Sequence, residues 1–198
     1  MIPANRYRAC PNGLVVPAEY VSSNRTENST TISVPTHQAG DLLIFLAWRA
    51  NATSPGLAAG CTNLAAWSGT LRSGRIGYKY AASGSETSGT WSSSQQLSVL
   101  VYRNAQIGVV STANTNSYPA LSGFTVNALL ARFGGGAGAA PSTPSGFTSR
   151  QERYSVVYGA HRTSDTNGPY GATSIGAETL TGPSQYQLGA TFAIEPAA

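Results

Sequence analysis

Residues 42–48 read Leu-Leu-Ile-Phe-Leu-Ala-Trp, with no polar side chain among them. In a chain otherwise rich in Gly, Ser and Thr, a run this short, entered through Gly40-Asp41 and left through Arg49, fits a strand covered on both faces better than a helix. Such a strand needs neighbours on each edge and an apolar layer above and below. The stretch from Thr31 to Arg49 therefore reads as a short strand, a turn and then the central core strand. The rest of the chain has to supply its surroundings.

It offers more strands. β-rich runs recur between Gly, Pro and Ser turn signals at 30–34, 41–49, 75–82, 96–102, 107–111, 124–133, 147–153, 155–162 and 187–194. Several alternate with period two: Ile76, Tyr78 and Tyr80 share one face, as do Leu188, Ala190, Phe192 and Ile194. No stretch keeps a helical apolar period. The expectation is an all-β fold, an antiparallel β-sandwich of jelly-roll type. Residues 1–29, with Pro3, Pro11 and Pro17 and then a polar tract, show neither periodicity and read as an extended N-terminal arm or a disordered tail. Residues 30–198 form the sandwich domain.

The second half echoes the first. Asp41-Leu42-Leu43, Gly60-Cys61-Thr62, Tyr78-Lys79-Tyr80 and Gln96-Leu97-Ser98-Val99 are followed in the same order by Ala128-Leu129-Leu130, Gly146-Phe147-Thr148, Val156-Val157-Tyr158 and Gln187-Leu188-Gly189-Ala190. A duplicated half-sandwich, about 30–111 and 120–198, is one explanation, and two independent all-β motifs are the other.

Composition narrows the function classes. With 198 residues a core can be buried without staples, so Cys10 and Cys61 are expected as free thiols rather than a bridge. The N-terminus lacks the charged and then apolar regions of a secretory signal. The sequons at Asn24, Asn28 and Asn51 then read as turn and strand chemistry. Only 10% of residues are charged, against about 25% in average usage. All but one of the 12 cationic residues are Arg, the exception being Lys79. A surface poor in ions packs widely against protein with little desolvation cost, which suits a shell or fibre. The net charge of +4 is spread along the chain, without the basic stripe that nucleic acid requires. No apolar run approaches the roughly 20 residues of a membrane span. Neither nucleic acid nor membrane is an expected partner.

Val34-Pro35 leading to Ala39-Gly40-Asp41-Leu42-Leu43, the turn Pro144-Ser145-Gly146-Phe147-Thr148, Gly89-Thr90-Trp91 leading to Val99-Leu100-Val101-Tyr102-Arg103-Asn104, and Tyr158-Gly159-Ala160 together resemble small β-sandwich virion proteins of tailed bacteriophages, from about residue 30 onward. The first-half turn Gly60-Cys61-Thr62 departs from the pattern in lacking the aromatic. The resemblance implies a non-enzymatic virion structural protein assembled in the host cytoplasm: a head-decoration or cement component, or alternatively a receptor- or carbohydrate-binding tail module. Its partners would be the major capsid or tail protein, further copies of itself, and for a tail module a host-surface glycan. On this reading Ile2, Arg6, Tyr7, Arg8, Leu14, Val15, Val16 and Tyr20 of the arm bind the particle. Tyr118, Tyr154, Tyr170 and Tyr186, near turns, form the candidate glycan surface.

Sites of chemistry are weaker. Gly134-Gly135-Gly136-Ala137-Gly138-Ala139 fits a phosphate-loop pattern formally, but Pro141 and Pro144 forbid the helix that would hold a phosphate, so it reads as an inter-strand loop. His161 and Asp165 invite a hydrolytic triad, yet no Gly-x-Ser-x-Gly elbow accompanies them. His37 has only Asp41 nearby, too little for a metal. No catalytic residue, metal or cofactor is expected.

Overall fold

The structure is a computed structural model and describes residues 15–197, with the backbone alone for 184–187. It is all-β: among the described residues there is no helix. The first half supplies β1 (Glu19–Glu27), β2 (Leu42–Arg49), β3 (Thr62–Ser68), β4 (Ser73–Tyr80) and β5 (Gln96–Arg103). The second half supplies β6 (Ala105–Ala113), β7 (Ser117–Tyr118), β8 (Leu121–Ser122), β9 (Leu129–Gly138), β10 (Thr148–Ser155), β11 (Gly159–Pro169), β12 (Ser174–Ile175), β13 (Glu178–Thr179) and β14 (Pro183–Pro196). Two five-stranded antiparallel sheets result, ordered β1-β5-β2-β4-β3 and β6-β14-β9-β11-β10. Each half of the chain completes one sheet before the next begins.

Read in chain order, both sheets place their long strands as first, fifth, second, fourth, third. The correspondence extends to register. Leu46 lies opposite Ile76 and Ser98, and Phe133 lies opposite Thr163 and Ala190. Register breaks also correspond: β3 has one between Asn63 and Ala65, and β10 has one between Ser149 and Gln151. A duplicated half-sandwich stands as a proposal, and this shared geometry places the division between the halves at Asn104 and not between 111 and 120, because β1 belongs to the first sheet and β6 to the second. It also shifts two of the equivalences expected from sequence. Ser98 corresponds to Ala190, one residue away from the expected Gly189. Val156-Val157-Tyr158 is not a strand at all but the turn joining β10 to β11.

β2 is buried on both faces, with 42–48 all out of solvent. Leu42, Ile44, Leu46 and Trp48 point at the second sheet and meet Leu129, Ala131, Phe133, Ala190 and Phe192. The opposite face of β2, with Leu43 and Phe45, is covered by Ile32, Ala58, Ala81 and Trp91 from the long loops. The second sheet is roofed likewise, Leu130 and Ala193 lying under Leu121, Phe124 and Phe147. Cys61 packs half-buried at the edge of the first of these roofs, and no partner cysteine lies among the described residues.

Three expectations are corrected. The arm does not extend to residue 29: 19–27 is the edge strand β1, paired with β5 from Glu19↔Arg103 to Glu27↔Gln96. Its polar sequence is stabilised by that pairing rather than by burial, and a bulge at Val21 breaks its alternation. Residues 30–34 are not a strand but an extended cover. The glycine run is not a loop: 134–138 continue β9 through the middle of the second sheet. Glycine is needed there for close approach. A Cβ on Gly135 would come within 2.8 Å of Trp48 Cζ3 and 3.2 Å of Phe133 Cζ, and one on Gly134 within 2.7 Å of Leu180. Gly135→Ala should therefore destabilise the fold by about 1–3 kcal/mol through overpacking. Gly176→Ala, where nothing lies within 4 Å, should change little. Urea unfolding of the pair checks this, and equal midpoints would refute the packing argument.

Candidate functional site

The inner face of β11 carries His161, Thr163 and Asp165 on alternate positions, all turned into the space between the sheets and all buried. Opposite them β5 presents Gln96, Ser98 and Tyr102, buried as well. The result is a polar seam through an otherwise apolar core. His161 sits between two partners, its Nδ1 2.9 Å from Gln96 Oε1 and its Nε2 2.9 Å from Ser98 Oγ. Burial, reinforced by Arg25 and Arg153, pushes its pKa down to about 3. The ring is thus a neutral hydrogen-bonding bridge between sheets.

Asp165 belongs to a different cluster. It accepts from Arg150 Nε at 2.8 Å and Nη2 at 2.7 Å, from Tyr102 Oη at 2.9 Å and from the Asn167 backbone at 2.8 Å. The Arg150 guanidinium stacks 3.7 Å from the Tyr20 ring centroid. Desolvation, and then the Asp165 charge, hold the Tyr102 phenol well above its usual range, so it stays a donor. His161 and Asp165, paired in the triad idea, therefore serve separate networks. The Ser98–His161 contact has the elements of a nucleophile and base, but both residues are sealed between the sheets, where no substrate carbonyl could reach.

The outer face of the second sheet has its own buried cation. Arg132 donates to Glu178 Oε2 at 2.6 Å and to Gly176 O at 2.7 Å, with the Phe147 and Tyr118 rings 5.0 and 5.5 Å from its guanidinium. It pins the 174–179 segment against the sheet. His37 is likewise committed: its Nδ1 lies 2.6 Å from Pro35 O, and its Nε2 accepts from the Glu86 N–H at 2.9 Å. Among the described residues no group of three or more His, Cys, Asp or Glu is arranged to hold a metal, and no helix is long and apolar enough to cross a membrane.

The residues singled out from sequence are scattered. Ile2, Arg6, Tyr7, Arg8 and Leu14 lie outside the described residues. Val15 and Val16 are exposed. Tyr20 is not a free arm residue but packs on Tyr102, with ring centroids 5.9 Å apart. Tyr118 is not on the surface: it is 1% exposed and its hydroxyl donates to Ser142 O. Tyr154 and Tyr170 are exposed, but Tyr154 pairs with Ala160 near the start of β11 and Tyr170 follows its end. About ten strand residues, or roughly 33 Å, separate them. The Tyr186 side chain lies outside the described residues. Among the described side chains Tyr118, Tyr154 and Tyr170 do not come together into one platform.

What sequence inspection missed lies at the two ends of the sandwich. At one end are the β3–β4 and β10–β11 turns, with Leu71, Val156 and Val157 exposed by 49, 84 and 62%. These turns meet: the Trp48 indole donates to Tyr158 O at 2.8 Å, and a Cβ on Gly159 would lie 3.0 Å from Arg72 Nε. At the other end, Val16, Ala18, Glu19, Asn104, Asn167 and Pro169 line a groove of about 430 Å³. Two adjacent valines at a hairpin tip were the available signal, hidden because β-branched residues read as strand. No family model, curated protein or solved structure matches the chain.

Proposed function

We propose that this chain is a non-enzymatic structural component of a tailed-bacteriophage particle, a head-decoration or cement protein that works by binding other virion proteins. One observation carries the non-enzymatic part: the side chains equipped for chemistry, Ser98, His161, Asp165 and Arg132, are buried and consumed in holding sheets and loops together. What faces solvent is Ser, Thr and Asn with few ions, a surface suited to wide contact with protein. The phage assignment rests on the turn and strand resemblance of residues 34–35 and 39–43, 89–91 and 99–104, 144–148, and 158–160. The buried Tyr118 and the distance between Tyr154 and Tyr170 give the alternative, a glycan-binding tail module, less support than the decoration reading.

The test is copy number in purified particles, measured by quantitative mass spectrometry. A closed shell built from symmetric oligomers predicts on the order of hundreds of copies. A few to a few dozen would assign the protein to the tail, and absence from the particle would overturn the virion reading.

A further inference from the structure

Charges on the described residues are sorted along the strand axis. Lys79, Arg103, Arg132, Arg150, Arg153 and Arg162 each pair with an acid. Arg75 bonds to Pro55 O and Asn63. Of the remaining cations, Arg49 and Arg72 lie at the end formed by the two hairpin turns, and Arg25 lies two residues before the end of β1 on the same side. None has an acidic partner, and the Nε atoms of Arg49 and Arg72 are buried with no acceptor. The acids outside any ion pair, Glu19 and Glu195, lie at the opposite end, facing Arg103 and Gln106 in their sheets. Glu195 accepts only from Thr125.

Exposed apolar side chains follow the same division. Leu71, Tyr154, Val156 and Val157 gather at the basic end, and Val15, Val16, Val126 and Tyr170 at the acidic end. The basic end projects as a hairpin tip. The acidic end is hollowed by the groove that Glu19 lines.

We propose that copies of this chain associate head to tail, the Val156-Val157 tip of one seated in the Val16–Glu19 groove of the next, with Arg49 and Arg72 facing Glu19 and Glu195. A knob at one end and a complementary groove at the other make a heterologous contact, which propagates into a ring or filament instead of stopping at a two-fold dimer. The arginine forks supply bidentate partners for carboxylates that make no ion pair among the described residues. A second copy is the occupant favoured because an exposed apolar tip beside unpaired arginines and a groove beside unpaired carboxylates are both present on one molecule. The proposal concerns the chain alone and stands whether or not the virion reading does.

Sedimentation velocity of the full chain tests it. Mass should grow past the dimer as concentration rises in low salt. Association should weaken at least about tenfold between about 0.1 and 1 M salt, over which the screening length falls from about 10 to about 3 Å. A tip variant (Val156→Ser, Val157→Ser, Arg72→Gln) and a groove variant (Val16→Ser, Glu19→Gln) alter exposed or half-exposed positions, so both should fold, as circular dichroism will verify. Each alone should associate at least about tenfold more weakly. Mixed, they should form dimers and nothing larger, because one keeps a working groove and the other a working tip. A monomer at every concentration overturns the proposal, whether the groove then takes residues 1–14 of its own chain or a different protein. So does an oligomer indifferent to both variants. Binding of the monomer to phosphatidylglycerol vesicles, lost in the tip variant, would assign the tip to a membrane and overturn it too.

Discussion

Asp165→Asn is expected to lower the unfolding free energy by about 3–5 kcal/mol, the range for breaking a buried ion pair from one side. The carboxylate is fully buried and takes hydrogen bonds from Arg150, Tyr102 and Asn167. An amide of the same shape offers one acceptor oxygen where two served, and it turns an N–H toward donors. The Arg150 guanidinium, whose side chain is 11% exposed, is left charged against the Tyr20 ring with no counter-charge. For a domain of this size the melting temperature should fall by roughly 6–20 °C. The double variant Arg150→Met/Asp165→Leu should recover much of the loss, because replacing both partners by apolar groups removes the stranded charge. A single-variant loss under about 1 kcal/mol would show that the cluster contributes little.

Acid should unfold the protein earlier than its carboxylates alone require, through His161. Its pKa is about 3 in the folded chain against 6.5 when unfolded. Above pH 6.5 both states are neutral at this ring, so it has no effect. As pH falls from 6.5 toward 3 the unfolded chain takes up a proton that the folded chain refuses, and stability falls by up to about 1.4 kcal/mol per pH unit. Between pH 6.5 and 5, where carboxylates stay ionised, the loss should approach about 2 kcal/mol. Over the whole window it should reach about 4–5 kcal/mol. His161→Gln lacks this ring, so its denaturant midpoint should fall much less steeply than the parent's between pH 6.5 and 5. An equal slope in both proteins would mean that protons enter elsewhere.

Both predictions depend on a seam that only the fold assembles. In sequence, His161, Thr163 and Asp165 look like a polar strand end running into a turn. Nothing in their spacing says that Gln96, Ser98 and Tyr102, some 60 residues earlier, stand opposite. A hydrogen bond across two sheets depends on which strands stack, and stacking follows from the summed burial of both apolar faces. The missed strands have local causes. β1 is polar along much of its length and is held by pairing with β5. β3 carries a bulge at Leu64 that shifts Leu64, Ala65 and Trp67 out of simple alternation. In the glycine run composition misled, because Gly135 is glycine for the sake of the Trp48 ring rather than for flexibility.

The sequence by itself determined the all-β class and the central place of residues 42–48. Both follow from local causes: period-two alternation, an apolar run bounded by turns, and the dihedral preferences of Gly and Pro. Only the tertiary structure decided where the sandwich begins, which residues correspond between its halves, that Tyr118 is core while Val156 and Val157 are surface, and that arginines without an acidic partner lie at one end and the carboxylates outside ion pairs at the other. These depend on register and on the stacking of distant strands. A one-residue slip turns every side chain to the opposite face, and no local preference in the chain is large enough to fix that choice.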